Sequence, residues 1–121
     1  MAKLLLIEDD ELVRYALREL LLTAGHEVMT RENGSKLIEF LKGNPVDLVI
    51  TDIVMPKVDG MEVLTMLRKQ YPALPVIALS GGGRISGSDY LEMAKVIGAK
   101  RTIAKPVQPD VLLGAIAELT V

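Results

Sequence analysis

DLVITDIVMPKVDG, residues 47–60, sets a strand-forming run against an abrupt break. Residues 47–51 are mostly aliphatic or β-branched and read as a strand covered on both faces. Asp52 ends that run, and Pro56 and Gly60 follow in a segment that cannot continue it. A single carboxylate at the tip of an apolar strand is ordinarily a helix cap or a turn residue. What else Asp52 does depends on which residues fold up beside it.

Four further runs resemble 47–51: KLLLI (3–7), EVMTR (27–31), PVIALS (75–80) and RTIA (101–104). All but EVMTR are near-continuous apolar segments; EVMTR alternates, which places it at a sheet edge. Between the runs the spacing turns helical. Val13, Ala16, Leu17, Leu20, Leu21 and Ala24 lie on one face of a helix over 10–24, and Gly25 stops it. Helices are also predicted over 34–42, 58–70, 88–97 and 108–120, the last with Pro109 near its start. Strict β-α alternation five times over implies a parallel sheet with helices on both faces and right-handed crossovers. The 121 residues suit one domain, with no internal repeat, linker or low-complexity tract.

Composition excludes several functions. With no Cys there is neither a disulfide framework nor a thiolate metal site. One Phe, three Tyr and no Trp argue against a large flat cofactor stacked on aromatic rings. No apolar run approaches the roughly 20 residues of a bilayer span, and MAKLLLI is too short for a signal peptide. Basic residues are scattered, never more than two together, so no nucleic-acid patch is expected. Residues 1–60 hold 7 Lys/Arg against 11 Asp/Glu, and the acidic excess centres on EDDE, residues 8–11. A cytoplasmic protein that neither enters a membrane nor touches nucleic acid directly is the expectation.

In a doubly wound sheet, ligands sit beyond the carboxyl ends of the strands. The first strand ends in Glu8, Asp9 and Asp10, the third in Asp52, the fourth in Ser80 and the fifth in Lys105. Taken singly, the acidic run is a solvated helix start, Ser80 a turn residue and Lys105 a surface charge. Together they form a constellation that chance placement does not explain. Clustered carboxylates raise one another's pKa unless a cation sits among them. Hard oxygen ligands without Cys favour Mg²⁺. A Lys and a Ser opposite them suit phosphoryl oxygens, and Asp52 is a carboxylate able to attack phosphorus.

These residues carry a family resemblance. EDDE with Arg14, TDIVMPKVDG, ALSG (78–81) and AKP (104–106) resemble the receiver domain of two-component response regulators, over essentially the whole chain. The resemblance implies a flavodoxin-like (βα)5 three-layer sandwich with a five-stranded parallel sheet of order 2-1-3-4-5. It implies that Asp52 is the phospho-acceptor, taking its phosphoryl group from the phosphohistidine of a sensor histidine kinase. Glu8 and Asp9 match the acidic pair, with Arg14 setting the register. Mg²⁺ would be held by Asp9, by Glu8 through water, by Asp52 and by the backbone carbonyl of Val54. Ser80 matches the switch hydroxyl and Lys105 the family lysine, whose bond to Pro106 is expected to be cis. Pro56 and Gly60 would shape the loop after the third strand, while Asp10 would lead into the first helix. The receiver would occupy residues 1–121, with no output domain visible.

Thr102 departs from the pattern, since receivers usually place an aromatic three residues before the lysine. An altered switch is expected, with ordering of the glycine-rich loop after Ser80 replacing an aromatic rotamer change. A downstream effector or a fused output domain would read that switch. The last two helices, residues 88–120, are apolar well beyond one stripe and suit a homodimer or effector face. A thin stripe of Leu12, Tyr15 and Leu22 would dock the kinase, and His26 is a structural turn residue. A haloacid-dehalogenase-type phosphatase would need a second acid at position 54, which is Val. A small flavoprotein would want aromatic stacking and a phosphate loop in place of EDDE. A degenerate receiver that only binds proteins is the remaining alternative, and retention of all five site residues weighs against it.

Overall fold

A computed structural model describes residues 1–53, 60–80 and 98–120 of the chain. Strands β1 (Lys3–Ile7), β2 (Glu27–Arg31), β3 (Leu48–Asp52), β4 (Val76–Ser80) and β5 (Arg101–Ala104) alternate with helices. The described helices are α1 (Glu11–Thr23), α2 (Leu37–Gly43), α3 (Gly60–Gln70) and α4 (Pro109–Leu119). All strands pair in parallel, in the order β2-β1-β3-β4-β5. The predicted helix over 88–97, Val54, Pro56 and the glycine-rich loop after Ser80 lie outside the described residues.

The apolar runs explain the layering. Successive strand side chains point to opposite faces, so each central strand supplies two cores. Leu5, Ile7, Val49, Val76 and Ala78 pack with Leu37, Leu41, Val63, Leu64 and Leu67 of α2 and α3. Leu4, Leu6, Leu48, Ile50, Ile77 and Leu79 pack with Leu17 and Leu21 of α1 and Leu112 and Ile116 of α4. Every residue of β3 and β4 is buried, whereas β2 is only half-buried at its edge, as its alternation predicts.

Helix ends follow local chemistry. Asp10 caps α1, its carboxylate accepting from the N–H groups of Leu12 and Val13 at 2.9 and 3.2 Å. Gly25, at φ +95°, ends it. The α2 helix starts at Leu37, three residues later than the predicted 34. Lys36 has φ 55°, outside the helical range, and the Asn33 side chain accepts from the Ser35 N–H at 2.8 Å, holding a turn ahead of it. His26 is structural, its Nδ1 accepting from the Ala2 N–H at 3.1 Å.

Gly98 takes φ +126°, and a Cβ there would lie 3.0 Å from Cδ of Arg68. The backbone conformation favours glycine there, and the Arg68 side chain would have to shift slightly to admit a Cβ. Gly98→Ala is expected to cost about 2 kcal/mol, read as a lower urea midpoint at unchanged slope.

Candidate functional site

Among the described residues the buried polar side chains are Glu8, Thr51, Asp52 and Ser80. All lie at the carboxyl ends of β1, β3 and β4, where a strand hands its chain to the following segment. Burying polar groups is costly unless they are paired, so their concentration at one edge of an otherwise aliphatic sheet marks a built site.

Register brings the groups together. Ile7 stands opposite Thr51, Asp52 opposite Leu79 and Ser80 opposite Ala104. Beyond the paired residues, the Ile53 N–H donates to the Leu79 carbonyl at 3.0 Å and the Lys105 N–H to the Ser80 carbonyl at 2.8 Å. These bonds carry Asp52 and Lys105 to the same level. Lys105 Nζ then donates to Glu8 Oε1 and to Asp52 Oδ2, each at 2.6 Å. The Lys105–Pro106 peptide is cis, as predicted.

Glu8, Asp9 and Asp52 each present a carboxylate oxygen within 4.8 Å of the other two. Asp9 is exposed at the mouth, with Glu8 and Asp52 buried behind it. Burial pushes the Glu8 carboxyl up to about 7; the Asp52 charge adds to this, and the hydrogen bond from Lys105 opposes it. Burial also works against the Lys105 charge, but the hydrogen bonds and charges of Asp52 and Glu8 outweigh it and raise the ammonium pKa. Three carboxylates facing one ammonium leave an excess of negative charge that a divalent cation would balance. The donor set consists of hard oxygens, which suits Mg²⁺. Both Glu8 oxygens already accept bonds, Oε1 from Lys105 and Oε2 from the Asp10 N–H at 3.2 Å.

The remaining predicted residues divide. Thr102 is half-buried on β5, opposite Ala78, and Gly60 opens α3. Asp10 caps α1, as expected of a residue outside the pocket. Sequence reasoning missed Thr51, whose hydroxyl donates to the Asp52 carbonyl at 2.9 Å. A hydroxyl inside an aliphatic strand, next to the candidate nucleophile, was the available signal. It also used Arg14 only as a register mark, whereas Arg14 Nη1 donates to the Glu8 carbonyl at 2.9 Å.

Comparison with known proteins agrees with this arrangement. The model of the family described as the response regulator receiver domain matches residues 4–117. The chain is 35% identical over 116 residues to the response regulator protein FleR of Pseudomonas aeruginosa, covering 96% of this chain and 24% of that protein. It is 35% identical over 114 residues to the transcriptional regulatory protein AfsQ1 of Streptomyces coelicolor, covering 93% and 48%. A response regulator receiver domain protein from Clostridium thermocellum superposes with a TM-score of 0.89 at 33% identity, covering 99% of this chain and 94% of that one. The chain thus spans about a quarter of the length of the first of these curated relatives and about half of the second. A family match over nearly every residue, on a sheet of order 2-1-3-4-5 with an acidic pocket at its carboxyl edge, makes this chain a member of the response regulator receiver domains.

Proposed function

We propose that Asp52 accepts a phosphoryl group from the phosphohistidine of a sensor histidine kinase, in a Mg²⁺-dependent reaction, and that the resulting change of conformation is the signal. The observation that carries this reading is the convergence of Glu8, Asp9 and Asp52 around one edge with Lys105 bonded to two of them. An Asp52 oxygen attacks phosphorus as the bond from phosphorus to the imidazole nitrogen breaks, and the imidazole leaves with that electron pair. The product is an acyl phosphate on Asp52. Mg²⁺, when bound, would neutralise charge on the transferring oxygens. Asp9 and Asp52 would hold it directly and Glu8 through water, with the Val54 carbonyl completing the set.

Lys105 balances the carboxylates before transfer and a phosphoryl oxygen after it. Ser80, buried at the end of β4, would donate to another phosphoryl oxygen and carry the change towards β5 and Thr102. Pro56, Gly60 and Pro106 would shape the loops around the pocket. The kinase would approach over α1, where Leu12 and Tyr15 are 80% and 63% exposed just past the acidic pair. A downstream effector or a fused output domain would read the phosphorylated form. Homodimerisation through residues 88–120 is supported by Val111, an apolar residue left exposed on α4. No helix among the described residues is long and apolar enough to cross a membrane, and a cytoplasmic location without direct nucleic-acid contact fits the receiver role.

The test is intact-mass measurement after acetyl phosphate treatment with Mg²⁺. The expected result is a gain of one phosphoryl mass, lost on alkaline treatment as an acyl phosphate should be and absent when a chelator replaces the metal. A protein that keeps its starting mass in the presence of Mg²⁺ would sink the reading.

A further inference from the structure

We propose that Arg14 is a positioning residue, holding the Glu8–Asp9 main chain so that its carboxylates converge on a cation; the inference rests on the Mg²⁺ reading of the pocket. Glu8 is held through both of its backbone polar groups. Its N–H donates to the Arg31 carbonyl at 3.0 Å, and its carbonyl accepts from Arg14 Nη1 at 2.9 Å. The Arg14 N–H also donates to the Asp10 carbonyl at 2.9 Å. One residue therefore spans the acidic turn, bonded through its backbone at one side and through its guanidinium at the other. Asp9 stands between the two anchor points.

Such a brace answers a physical problem. Carboxylates whose oxygens lie within 4.8 Å repel one another, and a turn bearing two of them relaxes outward unless its backbone is tied down. Arg14 takes the Glu8 carbonyl and commits this bond to no carboxylate, so it holds the turn without occupying an oxygen a cation needs. Its charge also lies beside the anionic turn. Arg14 is half-buried and lines an open cleft of about 410 Å³ with Thr30, Arg31, Glu32 and Asn33. Substitution there removes the bond without opening a core. Partners that orient metal ligands from behind typically govern affinity by about 10- to 100-fold.

The experiment is calorimetric titration of the full chain with Mg²⁺ alone, for wild type, Arg14→Met and Arg14→Lys, beside metal-free urea denaturation of each. Methionine keeps an unbranched stem and no donor; lysine keeps the charge and a single-point donor. Arg14→Met is expected to bind Mg²⁺ about tenfold more weakly, with Arg14→Lys regaining part of the loss. A merely structural role would lower the urea midpoint and leave the affinity of the folded protein unchanged. Wild-type affinity in Arg14→Met, whatever its stability, overturns the inference alone. A wild type that takes up no Mg²⁺ overturns the inference together with the reading beneath it.

Discussion

Asp52→Asn is expected to gain no phosphoryl mass from acetyl phosphate and Mg²⁺ under conditions that modify the wild type completely. The amide has almost the same shape as the carboxylate, and its oxygen can still accept from Lys105. It lacks the anionic oxygen needed to attack phosphorus and form the mixed anhydride. The fold should survive, because the replacement removes one of three mutually repelling carboxylates and keeps a hydrogen-bonding group in a site that is 5% exposed. Loss of reactivity with an unchanged far-ultraviolet circular dichroism spectrum would separate a missing nucleophile from a missing structure. Full modification of the Asn variant would move the acceptor to another residue and require a different account of the pocket.

The second large effect is expected at Lys105. Its ammonium bridges Glu8, which is fully buried, and Asp52, which is nearly so. Removing one partner of such a cluster leaves the others uncompensated, and Lys105→Met should lower metal-free stability by about 3 kcal/mol near neutral pH. Mg²⁺ should restore much of this, since a divalent cation supplies the missing charge to the same oxygens. Phosphoryl uptake should fall about a hundredfold, the usual effect of deleting a charge-stabilising donor. The pH dependence has a definite sign. The folded-state pKa of Lys105 is raised above its ordinary 10.5, so its contribution is complete below that value and is lost only as pH rises through the higher folded one. Ionisation of the lysine itself should therefore not limit this contribution in the neutral range. Equal urea midpoints for wild type and Lys105→Met, insensitive to Mg²⁺, would remove Lys105 from the role of counter-charge.

The fold was legible where burial dictates composition. The runs KLLLI, EVMTR, DLVIT, PVIALS and RTIA match the strands to within one residue at each end, because a strand covered on both faces can hardly be anything but aliphatic. The alternation in EVMTR placed it at the edge, where β2 lies. Helix α2 was less legible: propensity does not announce that Lys36 turns left-handed, so the predicted start came three residues early. The grouping of Glu8, Asp9, Asp52 and Lys105 was legible because a parallel sheet delivers all its carboxyl ends to one edge. Bonds made by a long side chain to a main-chain carbonyl leave no periodic trace, which is why the engagement of Glu8 by Arg14 emerged only from coordinates. Thr51 escaped for a related reason: its hydroxyl bonds the neighbouring backbone, and its β-branched shape suits a strand regardless.

The ammonium that quiets the pocket lies 97 residues along the chain from Glu8 and 53 from Asp52. During synthesis on a ribosome, the early strands emerge long before Lys105 does. Until then the nascent chain carries its acids without their counter-charge, and β4 lacks its outer neighbour. The counter-charge thus arrives only with the fifth strand. On the proposed chemistry, the pocket reaches its full rate only once the fifth strand has joined the sheet.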